Sequence, residues 1–243
     1  MKNILVTGAN GQLGQCFQLL SKTSKHNFTF LDRTQLDVTS KEQIQSVFNQ
    51  SYDFCINCTA YTAVDKAEDQ KELANAINHI AVKHIAGACL KNDIVLIHIS
   101  TDFVFNGKHY IPYKETDQTD ALSIYGKTKL DGEIAIQKSL KSYYIIRTSW
   151  LYSEFGANFL KSMLNLAKTK DELNIVNNQI GTPTYAMDLA KVILIIIDQN
   201  TNYGLYHYSN QGVASWYDFA KAIFQKTNIN IKVNPIPAIL YPT

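Results

Sequence analysis

The sequence predicts an α/β fold built on a doubly wound parallel sheet, followed by a smaller α/β lobe. Short apolar runs rich in β-branched residues alternate with longer runs of helical periodicity through the first 150 residues. Such alternation is typical of parallel strands joined by helices, and right-handed crossovers place those helices on both faces of the sheet. The composition, 46% hydrophobic and 18% charged over 243 residues, is that of a globular protein with a substantial core.

Five strands and four helices are expected in the first lobe. Each strand is a short, largely apolar run of the length found in buried parallel sheets. The strands are predicted at Asn3–Thr7, Phe28–Leu31, Phe54–Asn57, Ile94–Ser100 and Tyr143–Thr148. The helices between them are predicted at Gln12–Ser21, Lys41–Phe48 after a Ser40 cap, Glu72–Leu90 and Tyr125–Gln137.

The alternation loosens after Arg147, which indicates a second lobe. Its expected elements are a helix at Asn158–Ala167, a turn-rich stretch at 177–184, a helix at Ala186–Ile197, a strand at Leu205–Ser209, a helix after Ser215 and an extended Ile231–Pro237. We expect residues 1–150 to form the first lobe, which also receives part of 170–200. Residues 151–243 form the smaller lobe, interleaved with the first.

The charge balance argues against two classes of partner. With 23 basic and 21 acidic residues and no Lys/Arg run, neither nucleic acid nor an anionic membrane gains electrostatic support. The apolar run Val192–Ile197 is far shorter than the roughly 18 residues that span a bilayer. A buried helix and a homodimer contact explain this run equally well. No signal-peptide core precedes the first strand, so a cytoplasmic protein is expected.

Four cysteines raise the question of a metal or redox site. Cys55 and Cys58 have C-x-x-C spacing, but along a strand positions three apart face opposite sides of the sheet. No second C-x-x-C pair and no H-x-x-x-H pair accompanies them. We therefore interpret Cys16, Cys55, Cys58 and Cys89 as small buried side chains and assign no metal site.

A glycine-rich loop joins the first strand to the first helix. Gly8, Gly11 and Gly14 have the spacing G-x-x-G-x-x-G. Glycines permit a tight turn and let backbone N–H groups approach a pyrophosphate at the positive end of a helix. At this strand–helix junction the loop predicts a Rossmann-like dinucleotide site.

Asp32 and Arg33, at the end of the second strand, bear on which dinucleotide is bound. Asp32 lies 18 residues past Gly14, near the offset of ~20 at which a carboxylate binds the adenosine ribose. The carboxylate favours NADH, whereas the Arg33 guanidinium could hold the 2′-phosphate of NADPH. The sequence leaves both cofactors open.

Thr101, Tyr125 and Lys129 form a candidate catalytic set. Thr101 lies where the fourth strand runs out, at the sheet edge where ligands bind in such folds. Tyr125 and Lys129 are four residues apart and therefore share one helical face. A nearby ammonium lowers the pKa of a phenol from ~10, so the tyrosine can protonate a carbonyl oxygen while a nicotinamide supplies hydride. The order of these motifs predicts an NAD(P)H-dependent carbonyl reductase.

The motifs resemble the extended short-chain dehydrogenase/reductase family, and within it the dTDP-4-dehydrorhamnose reductases. The matching pieces are TGANGQLG, NCTAYTAVDKAE, STDFVFNG, YGKTKLDGE, RTSWLY, NQIGTPT and GLYH. The AYTAVDKAE and NQIGTPT pieces separate this branch from relatives that share only the reductase core. The resemblance implies that NADPH or NADH reduces the C4 ketone of dTDP-4-dehydro-L-rhamnose to dTDP-L-rhamnose, for cell-surface polysaccharide synthesis.

The resemblance also implies residue roles. The catalytic residues would be Thr101, Tyr125 as proton donor, and Lys129. Tyr125 and Lys129 would also contact the cofactor, Lys129 on the nicotinamide ribose. The remaining cofactor residues would be Gly8, Asn10, Gly11, Gln12 and Leu13 on the pyrophosphate, Asp32 and Arg33 on the adenosine ribose, Asp37 and Val38 on adenine, and Ala60 and Tyr61 in the groove. The substrate residues would be Thr62, Val64, Thr101, Asp102 and Trp150, the indole forming a wall for the sugar ring.

The carboxyl-terminal end departs from the family pattern. Chains of the family continue past a Y-P-T-P segment into an Arg-Pro-containing tail that helps close the nucleotide-sugar site, whereas this sequence stops at Tyr241-Pro242-Thr243. We therefore expect the nucleotide-sugar lobe to be shortened at this end. Some relatives also bind Mg²⁺ at a dimer contact through late acidic residues, and no residue here is assigned to that role.

Two other functions remain open at this point. A reductase of another nucleotide-activated 4-keto sugar would share the core chemistry and differ only in the second lobe. A non-catalytic dinucleotide-binding regulatory subunit, of the methionine adenosyltransferase type, would share the fold. Such a subunit has no need of an intact Thr/Tyr/Lys set, which argues against it.

Overall fold

The computed structural model describes residues 1–199 and 201–241. Its strands are β1 (Asn3–Thr7), β2 (Asn27–Leu31), β3 (Phe54–Asn57), β4 (Val95–Thr101), β5 (Tyr143–Thr148), β6 (Leu151–Tyr152), β7 (Glu172–Val176), β8 (Ile180–Gly181), β9 (Thr184–Tyr185), β10 (Gly204–His207), β11 (Ala214–Ser215) and β12 (Lys232–Ile236). Its α-helices are α1 (Gln12–Ser21), α2 (Lys41–Phe48), α3 (Val64–Ala67), α4 (Lys71–Asn75), α5 (Ala81–Lys91), α6 (Ile124–Ser139), α7 (Phe159–Leu166), α8 (Ala186–Gln199) and α9 (Trp216–Lys226).

The main sheet is parallel throughout, with the strand order β10-β5-β4-β3-β1-β2. Alternate residues of β1 enter different cores, because successive side chains of a strand face opposite sides. Leu5 packs with residues of α2, α5 and α6, whereas Ile4 and Val6 pack with residues of α1 and α8. The predicted doubly wound α/β fold is therefore confirmed.

The predicted elements of the first lobe are present, most of them with the predicted ends, and the ends that differ are shifted by one or two residues. The helix expected at Glu72–Leu90 is interrupted by a π-helical turn at Ala76–Ile80, which joins α4 to α5. Such turns are rare in proteins, and those that occur often lie at functional sites. Helix α3 and strand β7 were not expected.

The second lobe has its own small core. Helices α7 and α9 pack with the parallel pair β7 and β12 through Met163, Leu173, Phe219 and Ile223. The remaining two-residue strands pair as β6 with β9 and β8 with β11. The division of the chain at residue 150 stays a prediction, and the pairing of β10 with β5 adds a strand from the later part of the chain to the main sheet.

Helix α8 contains the apolar run Val192–Ile197. Ile193 and Ile197 are buried in the core against α1, whereas Ile195 is 49% exposed. The run is therefore explained in large part by the core of the chain itself. Within residues 1–199 and 201–241, no helix has the length and hydropathy to cross a membrane. The expected shortening of the lobe falls on Tyr241-Pro242-Thr243, of which Pro242 and Thr243 lie outside the described residues.

Candidate active site

The candidate site lies where β1, β3, β4 and β5 end on one edge of the sheet. Their register is fixed by pairing: Thr7 lies opposite Asn57, Asn57 opposite His98, and Thr101 opposite Thr148. Parallel strands that share a register also end together, so the segments that follow them meet at this edge. The structure thereby brings the glycine loop, Thr101 and the segment of Trp150 to the same side of the molecule.

The glycine loop has the geometry of an anion-binding turn. Gly8 has φ +67°, a conformation that L side chains rarely adopt, and a Cβ there would lie 3.0 Å from the backbone of Cys58 and Thr59. Gly11 caps α1 and makes no side-chain cap hydrogen bond. The first-turn N–H groups of α1 are therefore available to an anion at the positive end of the helix. Leu13 is buried in the core, so only its backbone can serve a ligand.

Asp32 is held by its own turn. Its Oδ1 accepts hydrogen bonds from the Thr34 amide and hydroxyl, at 2.8 and 2.6 Å, and its Oδ2 accepts one from Asn10 at 2.7 Å. These hydrogen bonds lower the pKa of the carboxyl, which is therefore ionised. Arg33 is exposed beside it. The Asn10–Asp32 contact links the glycine loop to the end of β2.

The other expected cofactor residues lie in the segments that follow β2 and β3. Asp37 accepts hydrogen bonds from the Thr39 amide and hydroxyl, which lower the pKa of its carboxyl. Val38 is buried in the core, so its side chain offers a ligand little surface. Ala60 and Tyr61 are half-buried in the segment after β3.

Asn78, which sequence reasoning missed, fixes the Tyr61 segment. Its Oδ1 accepts a hydrogen bond from the Tyr61 amide at 2.8 Å, and its Nδ2 donates to the Tyr61 carbonyl at 3.1 Å. The same Nδ2 donates to the Thr128 hydroxyl of α6 at 3.2 Å. Asn78 lies in the π-helical turn and is fully buried. In the sequence, Asn78 is marked only as an asparagine inside a predicted helix, where asparagine is a weak helix former.

Thr101 and the start of α6 approach closely because residue 126 is glycine. A Cβ at Gly126 would lie 2.2 Å from the carbonyl oxygen of Phe103, which belongs to the turn directly after Thr101. The Ser123 hydroxyl caps α6 by accepting a hydrogen bond from the Gly126 amide. Phe103 contacts Tyr125 edge-on, with ring centroids 5.5 Å apart. The tyrosine is thereby held at the end of β4.

The phenol of Tyr125 is protonated in this state. Burial raises its pKa to about 12, and the Asp102 carboxylate contributes in the same direction, while the neighbouring Thr101 hydroxyl lowers it. A tyrosine in this condition is a proton donor rather than a base. To donate readily at neutral pH it requires a cationic neighbour.

Lys129 occupies a buried position one turn further along α6. Its side chain is 1% exposed, and its Nζ donates a hydrogen bond to the Ile99 carbonyl oxygen at 2.7 Å. The His98 Nε2 lies 3.3 Å from the same nitrogen. Burial lowers the pKa of the ammonium to about 8, although the Glu133 carboxylate opposes this shift.

Asp102 directly follows Thr101 at the site. The Thr101 hydroxyl donates a hydrogen bond to its Oδ1 at 3.1 Å and accepts one from the Phe103 amide at 3.2 Å. Burial raises the pKa of the carboxyl to about 6. The first turn after β4 is therefore capped by Thr101.

A buried ion pair joins α6 to the main sheet. Arg147 donates to Glu133 from Nη2 at 2.7 Å and from Nε at 3.0 Å, and the Ser100 hydroxyl donates to the same carboxylate. All three residues are buried. Because they lie on β4, β5 and α6, the pair fixes α6 against the sheet. Sequence reasoning included this glutamate and arginine only as parts of family motifs.

Glu68 fixes the beginning of the same helix. Its Oε1 accepts a hydrogen bond from the Ile124 amide at 2.8 Å. Asp65, Lys66 and Glu68 are all exposed, and the third of them also anchors α6.

The expected substrate residues lie in three segments, at or after the ends of β3, β4 and β5. Thr62 is exposed and Val64 is half-buried at the start of α3. Trp150 has φ +47° and stacks on Trp216, with ring centroids 3.5 Å apart and planes 9° apart. Trp216 also donates a hydrogen bond to Gln179 at 3.2 Å. Trp150 is therefore part of an aromatic pair at the edge of the second core, and Trp216 was not expected.

Gln12 connects the glycine loop to the second lobe. Its Oε1 accepts hydrogen bonds from the Ser153 hydroxyl at 2.9 Å and from Asn158 Nδ2 at 3.0 Å. Its Nε2 donates to the Leu151 carbonyl at 3.4 Å. The side chain of Gln12 is therefore committed to the protein, and its backbone remains available to a phosphate.

The cysteines and the acidic residues provide no metal centre in the part of the chain that the structure describes. The four cysteines are free, and three of them are buried. Burial raises the pKa of the Cys16 thiol to about 11, so this thiol is protonated. Across residues 1–199 and 201–241, no group of three or more His, Cys, Asp or Glu side chains could hold a metal ion.

Known proteins are similar to this chain in sequence and in structure. A family model described as the RmlD substrate binding domain matches residues 1–243. The chain belongs to this family. A dTDP-4-dehydrorhamnose reductase of Aggregatibacter actinomycetemcomitans is 40% identical over 256 residues, which cover 100% of this chain and 87% of that protein. The spore coat polysaccharide biosynthesis protein SpsK of Bacillus subtilis is 39% identical, over 96% of this chain and 82% of that protein.

Solved structures agree with the family assignment. A dTDP-4-dehydrorhamnose reductase from Clostridium acetobutylicum has a TM-score of 0.96 at 45% identity, covering 99% of this chain and 85% of that one. The Bacillus anthracis enzyme, solved in complex with NADP, has a TM-score of 0.95 at 38% identity, covering 98% and 85%. The expected family and the expected oxidoreductase class are confirmed. The roles of the individual site residues stay predictions.

Proposed function

We propose that this chain reduces the C4 ketone of dTDP-4-dehydro-L-rhamnose to dTDP-L-rhamnose with NADPH or NADH, for cell-surface polysaccharide synthesis. The observation that carries the proposal is the meeting of three side chains at one sheet edge. Thr101, at the end of β4, lies beside the Tyr125 phenol, and Lys129 is buried one turn along the same helix. The names of the relatives support the substrate.

The glycine loop fits the pyrophosphate of a dinucleotide. The first turn of α1 has no side-chain cap, and the positive φ of Gly8 lets the loop turn tightly against the backbone of Cys58 and Thr59. When bound, NAD(P)H supplies the hydride that is transferred to C4.

NADPH is the cofactor that we favour. Both carboxylate oxygens of Asp32 already accept hydrogen bonds within the chain, whereas the Arg33 guanidinium is exposed beside them. An exposed guanidinium can donate two hydrogen bonds to a 2′-phosphate. The Bacillus anthracis relative in complex with NADP supports this choice.

Each catalytic side chain has one task in the reduction. Tyr125 donates its phenol proton to the ketone oxygen as C4 receives the hydride, and the ammonium form of Lys129 stabilises the phenolate that remains. The Thr101 hydroxyl exchanges its present hydrogen bond to Asp102 for one to the ketone oxygen. General acid catalysis of this kind contributes ~10²–10⁴-fold to the rate.

The test supplies dTDP-4-dehydrorhamnose, made in situ by the upstream enzymes, and follows the loss of reduced-nicotinamide absorbance. We expect turnover by the wild-type chain and a loss of ~10²–10⁴-fold in kcat for Tyr125→Phe, with binding of the cofactor retained. Tyr113→Phe is the matched control, because Tyr113 stacks on Phe105 and its hydroxyl donates to Asn106, outside the proposed catalytic set.

Three results would separate the alternatives. Turnover of a different nucleotide-activated 4-keto sugar in preference to this one would favour the related reductase. Cofactor binding with no turnover of any such sugar would favour a regulatory dinucleotide-binding subunit. A Tyr125→Phe variant as fast as wild type would refute the assigned proton donor and leave the substrate in place.

A further inference from the structure

A chain of buried polar groups runs from the end of β1 to Lys129. The Thr7 hydroxyl donates to Asn57 Oδ1 at 2.7 Å, Asn57 Nδ2 lies 3.1 Å from His98 Nδ1, and His98 Nε2 lies 3.3 Å from Lys129 Nζ. Each of these four residues is at most 1% exposed. The mechanism proposed above uses only the last of them. A fully buried neutral histidine in contact with a buried lysine needs an explanation, because such polar groups are costly unless each has a partner.

The orientation of the Asn57 amide is fixed by a backbone N–H group, which can only donate a hydrogen bond. The backbone N–H of Thr59 donates to Asn57 Oδ1 at 3.2 Å. If the amide were turned over, its NH₂ group would face this N–H, and two donors would meet. Asn57 therefore presents its NH₂ group to His98, and His98 Nδ1 must accept.

The tautomer of His98 follows from this contact. A neutral imidazole carries one proton, and Nδ1 must be free of it to accept a hydrogen bond. The proton of His98 therefore lies on Nε2, the nitrogen that faces Lys129. Burial lowers the pKa of His98 well below its usual value, which keeps the ring neutral.

The protonated Nε2 is unfavourable to a charged lysine. An ammonium has three donors and no acceptor, so it cannot accept a hydrogen bond from His98, whereas a neutral amine can. One hydrogen of Lys129 is already donated to the Ile99 carbonyl oxygen. The contact between Nε2–H and Nζ is therefore satisfied only when Lys129 is an amine.

We propose that Asn57 and His98 are positioning residues that favour the neutral amine of Lys129 in the ligand-free protein. The inference rests on the proposed function in assigning importance to Lys129. When Lys129 is an amine, it can stabilise the Tyr125 phenolate only after it takes up a proton. The reductase would accordingly lose activity as the pH rises and Lys129 remains an amine.

The charged and titratable groups around Lys129 divide into two sets. Glu133 on α6 favours the ammonium, but its carboxylate is paired with Arg147 of β5. Asp102, after β4, acts instead on Tyr125, whose pKa its carboxylate raises. His98 disfavours the ammonium, and Tyr125 is neutral in this state. From β3, the uncharged side chain of Asn57 is linked to Lys129 through His98.

The decisive measurement is the ¹⁵N spectrum of histidine in the ligand-free wild-type protein, which distinguishes a protonated ring nitrogen from an unprotonated one. We expect His98 to show a protonated Nε2 and an unprotonated Nδ1. His26 is an internal reference, because its Nδ1 accepts a hydrogen bond from the Lys2 amide at 3.2 Å and requires the same tautomer. A protonated Nδ1 at His98 would overturn the inference.

Asn57→Asp tests the link to Lys129. The carboxylate keeps the acceptors for Thr7 and Thr59 and presents a second acceptor to His98, so the ring proton should move to Nδ1. His98 Nε2 then accepts from the Lys129 ammonium, which should shift the alkaline limb of the kcat/KM profile upward by roughly one pH unit. Asn27→Asp, on the exposed start of β2, is the matched control and should shift neither the His98 signals nor the limb.

The outcomes are distinguishable from those of the proposed function. A variant that loses activity evenly across the pH range, with its His98 tautomer exchanged and no shift of the limb, would refute the role of His98 and leave the reductase assignment intact. The spectrum needs no substrate, so a chain with the expected tautomer that reduces no sugar would refute the function alone. If Asn57→Asp does not fold, the wild-type spectrum still decides.

Discussion

The contact between Gly126 and the turn after β4 yields the sharpest test of how the site is assembled. In Gly126→Ala the new Cβ would lie 2.2 Å from the Phe103 carbonyl oxygen, whereas ordinary contact begins at 3.4 Å. The difference, 3.4 − 2.2 = 1.2 Å, must open between the start of α6 and the turn that follows Thr101. Because Tyr125 is the neighbour of Gly126, that opening separates the proton donor from the hydroxyl that holds the ketone.

The expected loss follows from this displacement. A misplacement of about 1 Å at a reacting centre costs on the order of 10²-fold in rate, so kcat should fall by about that factor. Overpacking of a close contact also costs about 1–3 kcal/mol of stability, which the Tm of the variant would report. The assay is the oxidation of NADPH with saturating sugar, together with thermal unfolding.

Gly87→Ala is the matched control, because nothing lies within 4 Å of a Cβ at this position on α5. It should keep the wild-type kcat and gain about 0.5–1 kcal/mol, since alanine is the better helix residue. A Gly126→Ala protein that folds, binds NADPH and turns over at the wild-type rate would refute the reasoning. It would mean that the close approach of α6 and β4 does not set the catalytic geometry.

Three further outcomes are expected. Glu133→Gln leaves the buried Arg147 guanidinium without a counter-charge and should lower the free energy of unfolding by about 3–5 kcal/mol in urea titrations, whereas Glu172→Gln at an exposed pair should change it little. The pKa of Lys129 is lowered from 10.5 to about 8, so the folded state binds fewer protons than the unfolded state in that window. The contribution of Lys129 to the free energy of unfolding should therefore rise by about 3 kcal/mol as the pH increases from about 8 to 10.5. Lys129→Met should abolish this rise. Arg33→Ala should lower kcat/KM for NADPH by about 10–100-fold and leave NADH unaffected, and equal losses with both cofactors would contradict the 2′-phosphate role.

Much of the candidate site can be recognised in the amino-acid sequence, because several of its groups are tied to local patterns. Gly8, Gly11 and Gly14 form a turn that depends on backbone conformation alone, and the four-residue spacing of Tyr125 and Lys129 places both on one helical face. Thr101 is recognisable as a strand end. These features involve residues close in the chain, so periodicity and spacing are enough to find them.

The groups that were missed are paired across long distances in the chain. Asn78 holds Tyr61 and Thr128, and Glu68 holds the Ile124 amide. Trp216 stacks on the tryptophan at position 150, although the two are far apart in sequence. No local pattern marks these partners, because each pair exists only after the sheet and the second lobe have folded.

By itself the sequence determined the α/β class, the succession of the main strands along the chain, the dinucleotide loop and the candidate catalytic set. The alternation of strand and helix periods and the spacing of a few polar residues carry that information, since both depend on neighbours in the chain. Only the tertiary structure decided the chemical state of those residues. The burial of Lys129, the direction of the Asn57 amide and the proton on His98 depend on strands brought into register from three separate segments. A pKa is set by desolvation and by neighbouring groups in space, and the sequence alone does not specify them.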